Sequence, residues 1–252
     1  APSSPNASPS SATSSTPEVT TLGRKATAEA LGTAFLVAAV VGSGIAAQRL
    51  SPNDAGLQLL QNSIATGGAL MALILAFGAV SGAHFNPVVT LASLAFGSVT
   101  PREAAAYIPA QIGGAMVGAV AANVMFDLDP ITLSTDIRAG SGIWLAEVIA
   151  TLGLLLVVLG VVRSGQSDTA PYAVAGYITA AYWFTSSTSF ANPVVTIGRT
   201  LTDTFSGISP SSAPAFIACQ LIGGAIAIGL ARYLHPNQPT VDSAALDDAT
   251  TV

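Results

Sequence analysis

Asn86 and Asn192 stand in apolar sequence, and each is followed by the same four residues, Pro-Val-Val-Thr. Each offers side-chain amide donors, the kind of group that holds a passing oxygen by hydrogen bonds. The first copy lies in Gly82-Ala83-His84-Phe85-Asn86-Pro87-Val88-Val89-Thr90-Leu91, the second in Ser189-Phe190-Ala191-Asn192-Pro193-Val194-Val195-Thr196-Ile197. A polar residue, a proline and a short apolar run spell a helix start. Asn is a favoured N-cap, and Pro at the first helical position gives up only an N–H that had no partner. The apolar runs extend to Gly97 and to about Leu201, roughly half of the ~20 residues that a membrane-spanning helix needs. Each copy is therefore expected to form a half-helix.

A half-helix cannot sit in lipid, where its terminal N–H groups would go unpaired at several kcal/mol each. It is tolerated where protein or a water-filled cavity meets it. Two half-helices entering from opposite faces would meet near the midplane with Asn86 and Asn192 at one constriction. Their N-terminal dipole ends, each roughly half a positive charge, would repel cations and orient a passing oxygen as acceptor. That orientation breaks the hydrogen-bonded water chain a proton would need.

The elements that must position this pair are apolar. Of the 252 residues 51% are hydrophobic and 8% charged, with a mean hydropathy of +0.62, against about a quarter charged in a soluble domain. Six runs have spanning length: about 26–47, 59–80, 102–124, 141–163, 170–188 and 211–234. With both termini in the cytoplasm, that side receives Arg24, Lys25, Arg102, Arg163 and Arg232, and the other Arg49, Arg138 and Arg199. The excess puts the N-terminus inside. Residues 1–22 are mostly Ser, Pro, Thr, Ala and Asn, and are expected to be a disordered tail, as is 236–252. The first tail has no apolar core of a signal peptide, and the missing initiator Met reads as a processed or trimmed start. The net charge of −5 suggests no nucleic-acid partner. Cys219, the one cysteine, rules out an intrachain disulfide and reads as a packed thiol. Nothing in the pattern asks for a metal or a cofactor.

The membrane-spanning unit is expected over 23–235 and consists of two halves, about 26–124 and 141–234. Ala28-Glu29-Ala30 in the first span corresponds to Ala146-Glu147-Val148 in the fourth, and Ile112-Gly113-Gly114-Ala115 to Ile222-Gly223-Gly224-Ala225. Three spans per half send the second half in from the opposite face. Inverted repeats with broken helices mark transport proteins with a site at the midplane. The fold class is thus an all-α membrane protein of six transmembrane helices and two re-entrant half-helices.

On the doubled Asn-Pro motif, the Ser-Gly-x-His-Phe lead-in at 81–85, the Ala-Glu pairs and the Gly-Gly pairs, the chain resembles the aquaporins, or major intrinsic proteins, over about residues 26–234. The resemblance implies a homotetramer in the cell membrane, with one pore per subunit, conducting water and small neutral solutes passively. It implies that His84 lines the cytoplasmic half of the pore and that Glu29 and Glu147 accept hydrogen bonds from the re-entrant loops. Interfacial snorkelling is the alternative for the two Glu, and a satisfied structural role that for His84.

The chain departs from the family in two places. Most members read Asn-Pro-Ala; Val88 and Val194 add volume where the half-helices meet, so a difference from theirs in packing or bore is expected. At the outer filter an Arg normally follows the second motif, and here Val195 takes its place, with Arg199 one helical turn later. Counting by the family's spacing puts Thr66 and Ala180 at the other filter positions, with Ser189 beside them. Such a filter, with no fixed cation and no ring, is expected to be wide. The run from Asn192 to Ile208 resembles a bacterial branch associated with arsenic resistance, implying passage of neutral metalloid hydroxides such as arsenous acid. Arg199 and Asp203 are read as structural, either as a helix couple or with Arg199 on loop carbonyls. The loop 126–140, with Asp127, Asp129, Asp136 and Arg138, is read as solvated rather than as a cation site. The rivals are an ordinary water channel and an ion-coupled transporter, for which only Glu29 and Glu147 could carry the coupling. An intramembrane hydrolase lacks a nucleophile motif.

Overall fold

A computed structural model describes residues 20–236; most of both expected tails lies outside them. Eight α-helices follow in order: α1 Leu22–Leu50, α2 Ala55–Ser81, α3 Pro87–Ala95, α4 Pro101–Met125, α5 Ser141–Arg163, α6 Ala170–Phe184, α7 Pro193–Arg199 and α8 Ala213–Leu234. α1 starts earlier than its apolar run, because Thr21 caps it with a side chain that accepts from Arg24 N. Thr100 and Glu103 form a reciprocal capping box at the start of α4.

Five helices, α1, α2, α4, α5 and α8, are long and apolar enough to cross a membrane. The sixth expected span is shorter than its run. α6 has 15 residues after a 3-10 turn at Ser167–Thr169, about 22 Å at 1.5 Å per residue. It stops at Phe184 because the chain turns back to form the second re-entrant loop. α3 and α7 are the half-helices, of 9 and 7 residues.

The halves repeat each other. α1 packs on α2 and α4 as α5 packs on α6 and α8, α2 meets α6 across the middle, and α3 and α7 both lie against α4 and α8. The outer surface is apolar, with Phe35, Ile64, Val117, Met125 and Trp183 exposed, whereas Glu29, Asn62, Gln111, Glu147 and Gln220 are buried. Apolar outside and paired polar groups inside is what lipid demands.

Two glycines let helices approach closely. A Cβ on Gly114 would lie 2.2 Å from the Ala30 carbonyl oxygen, and one on Gly223 2.4 Å from that of Val148. These partners each follow a paired Glu, so Gly114 corresponds to Gly223. The Gly-Gly words therefore recur one residue out of register with the structural repeat. Gly224, matched to Gly114 by sequence, faces Val88 instead.

Candidate functional site

α3 and α7 meet head to head. Asn86 Oδ1 accepts from Val88 N at 2.9 Å, and Asn192 Oδ1 from Val194 N at 3.0 Å and Val195 N at 3.4 Å. Pro87 and Pro193 occupy the first helical positions. Each amide nitrogen reaches across the centre: Asn86 Nδ2 donates to the Ala191 carbonyl and Asn192 Nδ2 to that of Phe85, both at 2.8 Å. An amide has two N–H groups, so one on each Asn remains for a solute in the cavity.

The loops leading into the half-helices are strained. Ala83, Phe85, Thr188, Ser189 and Ala191 all have φ between 48 and 63°, which costs a non-glycine residue about 1 kcal/mol or more. Two buried carboxylates hold that geometry. Glu29 accepts from Ser81 Oγ and His84 N through Oε1 and from Phe85 N and Gln111 Nε2 through Oε2, at 2.7 to 2.9 Å. Glu147 accepts from Phe190 N, Ala191 N and Gln220 Nε2 at 2.9, 3.0 and 2.7 Å. Both are fully buried, which excludes snorkelling. Gln111 and Gln220 also donate to Thr90 and Thr196 of the half-helices, tying loop, carboxylate and half-helix together.

A cavity of about 590 Å³ runs past both Asn, from Lys25, Ser98 and Glu103 on the face that carries the ends of α1 and α8 to Ser189 and Arg199 toward the opposite face. His84 lines it on the side of the termini, its ring nitrogens 3.1 Å from Thr90 Oγ1 and 3.3 Å from Ser93 Oγ. Thr66, Ser189 and Val195 line the other half. Val88 and Val194 do not line it. Val88 packs with Leu155 and Ala227, and Val194 with Val37 and Ala115, so the motif's third position alters packing, and Val89 and Val195 face the cavity instead.

Ala180 is corrected by the structure. It is exposed on the outer surface, because the buried positions of α6 run 174, 175, 178, 181, 182 and 180 falls off that face. Tyr182 lines the cavity instead, its hydroxyl 3.1 Å from Thr66 Oγ1, so the filter is not free of rings. Helical periodicity within α6 is the signal that points to Tyr182.

Arg199 and Asp203 form no couple. α7 ends at Arg199, and Asp203 accepts from Thr135 N at 2.8 Å in the loop before α5. Arg199 is buried and lines the cavity, with Nε donating to the Ser206 carbonyl and its guanidinium carbon 3.5 Å from the centre of the Phe190 ring. The loop 126–140 is pinned down: Thr132 N and Ser134 N donate to Leu201 and Thr200 carbonyls, and Asp136 pairs with Arg138 at 2.9 Å. Its acidic side chains form no metal-binding group among the described residues.

Paired half-helices, crossed amides and a continuous cavity inside an apolar shell define a membrane channel. Comparison with known proteins gives the family. Residues 16–185 match the family model described as "Major intrinsic protein". The chain is 48% identical over 221 residues to the aquaglyceroporin AqpS of Rhizobium meliloti, covering 87% of this chain and 94% of that one. It is 32% identical over 246 residues to a probable aquaporin AqpM of Archaeoglobus fulgidus, covering 85% and 98%. In fold it is similar to the aquaglyceroporin from Plasmodium falciparum, with a TM-score of 0.67 at 20% identity over 86% of this chain and 98% of that chain. The chain belongs to the major intrinsic protein family: it is an integral, multi-pass membrane channel and not an enzyme.

Proposed function

We propose that this channel passes glycerol-like polyols, neutral metalloid hydroxides such as arsenous acid, and water, downhill, as a homotetramer in the cell membrane with both termini in the cytoplasm. The observation that carries this reading is Val195, which lines the cavity where the family normally has an arginine. Ser189 and Thr66 line the same cavity, with Tyr182 against Thr66, and a small side chain at 195 in place of an arginine supports passage of solutes larger than water. The name of the AqpS relative, an aquaglyceroporin, supports the same solute class. Asn86 and Asn192 are the donors that a hydroxyl oxygen meets at the centre, with His84 on the inner side. Glu29 and Glu147 hold the loops, and Arg199 and Asp203 hold the outer mouth. The excess of Lys and Arg on the face of the termini supports their cytoplasmic placement.

The test is stopped-flow light scattering on proteoliposomes, following water, glycerol and arsenous acid with and without Val195→Arg. The wild type is expected to pass all three, and the variant to lose the larger solutes and keep water. If the wild type passes water alone, the channel is an ordinary water channel and the reading fails.

A further inference from the structure

We propose that Arg199 supplies the fixed positive charge of the filter, reaching it from one helical turn beyond the position where the family's arginine stands. This rests on the channel reading above. The geometry follows from how helical side chains lie. In an α-helix a long side chain leans toward the N-terminus and covers the preceding turn, so the Arg199 side chain folds back along α7 to the level of Val195. Its landing place agrees with that direction: the guanidinium carbon is 3.5 Å from the centre of the Phe190 ring, which precedes Asn192 in the chain. Arg199 Nε donates a hydrogen bond to the Ser206 carbonyl, orienting the group.

The charge is available to the cavity. Among the described residues two cationic side chains line it, Lys25 and Arg199. Lys25, at the other mouth, is paired with Glu103 at 2.6 Å, whereas Arg199 has no carboxylate partner among the described residues. Arg138 also approaches Phe190, at 5.4 Å, but it is bound to Asp136 and the Gly207 carbonyl and does not line the cavity.

The Ser189 hydroxyl, next in sequence to the Phe190 on which Arg199 stacks, is buried, lines the same cavity and has no hydrogen-bond partner among the described residues. A guanidinium and a hydroxyl lining one cavity suit a solute bearing several oxygens, and the guanidinium charge repels a cation. Val195 and Arg199 then act as one device. With a small residue at 195 and the arginine one turn later, the filter keeps a fixed charge without an arginine side chain on residue 195 itself.

Proteoliposomes with an imposed inside-negative potential at pH 6, where methylamine is protonated, provide the test. Uptake of labelled methylammonium is compared for wild type, Arg199→Met, Arg199→Gln, Arg199→Lys and the double variant Val195→Arg/Arg199→Met. Melting temperatures in detergent verify folding, and Gln keeps a donor for the Ser206 carbonyl should Met fail to fold. The expected result is potential-driven uptake at least ten-fold above wild type in the neutral variants, with Lys and the double variant returned to the wild-type level. Folded neutral variants as cation-tight as wild type would overturn the proposal. So would a leak that persists in Arg199→Lys and in the double variant, since lost packing rather than lost charge would then be the cause. Glycerol flux through the wild type, measured alongside, reports separately on the channel reading.

Discussion

Glu29 and Glu147 each tie a re-entrant loop to the glutamine of a neighbouring helix. A carboxylate is an acceptor at both oxygens, and each of these receives N–H donors on both, Glu29 the Ser81 hydroxyl as well. Glu147→Gln keeps the size but turns one oxygen into an NH2 that points at donors, leaving a buried N–H unsatisfied. Losing charge-assisted bonds and stranding a donor should cost about 3 kcal/mol. The expected outcome is a markedly lower melting temperature in detergent and loss of solute flux, because Phe190 and Ala191 are no longer held; an unchanged melt would refute the account. The two Glu stand out in the sequence because an ionisable residue inside an apolar run demands a partner. Gln111 and Gln220 meet the same criterion more weakly, being uncharged, and nothing local ties either to a Glu some seventy or eighty residues away. Tyr182 and Ala180 differ only in helical phase. A spacing counted through the 185–192 loop cannot supply that phase, and the period of α6 can.

Among the elements, the half-helices were legible because their starts are local: Asn accepts from the N–H groups of the first turn and Pro gives up nothing there. Their ends were less so. α7 stops at Arg199 because the chain then folds onto the 126–140 loop, a tertiary event that no four-residue spacing between Arg199 and Asp203 reveals. Close helix packing was legible as glycine but not in register. A Cβ on Gly113 would meet nothing within 4 Å, whereas one on Gly114 would meet the Ala30 carbonyl oxygen at 2.2 Å. Two neighbouring Gly→Ala changes are therefore expected to act in opposite directions. Gly113→Ala should be neutral or stabilise by up to about 1 kcal/mol through helix propensity, and Gly114→Ala should destabilise by about 2 kcal/mol by forcing α1 and α4 apart. Thermal unfolding of the pair in one detergent decides it, and equal effects would show that the α1–α4 contact is not set by Gly114.

At the scale of the molecule, the same inverted repeat could serve a channel or an ion-coupled carrier, and the bonds across the centre separate the two. A carrier must let one half move against the other around its site. Here Asn86 donates to Ala191 of the second half and Asn192 to Phe85 of the first, so the two halves are fastened together at the very point where a carrier would have to open. Glu29 and Glu147, the buried carboxylates that could have served as coupling groups, are instead engaged by loop N–H donors and glutamine amides. Solute flux is therefore expected to follow the solute gradient alone, to rise in proportion to it without saturating, and to run equally well in both directions. In proteoliposomes, collapsing proton or sodium gradients with ionophores should leave glycerol entry unchanged. Entry that falls several-fold when either gradient is removed would mean that the crossed amide bonds open during transport, and that the halves rock after all.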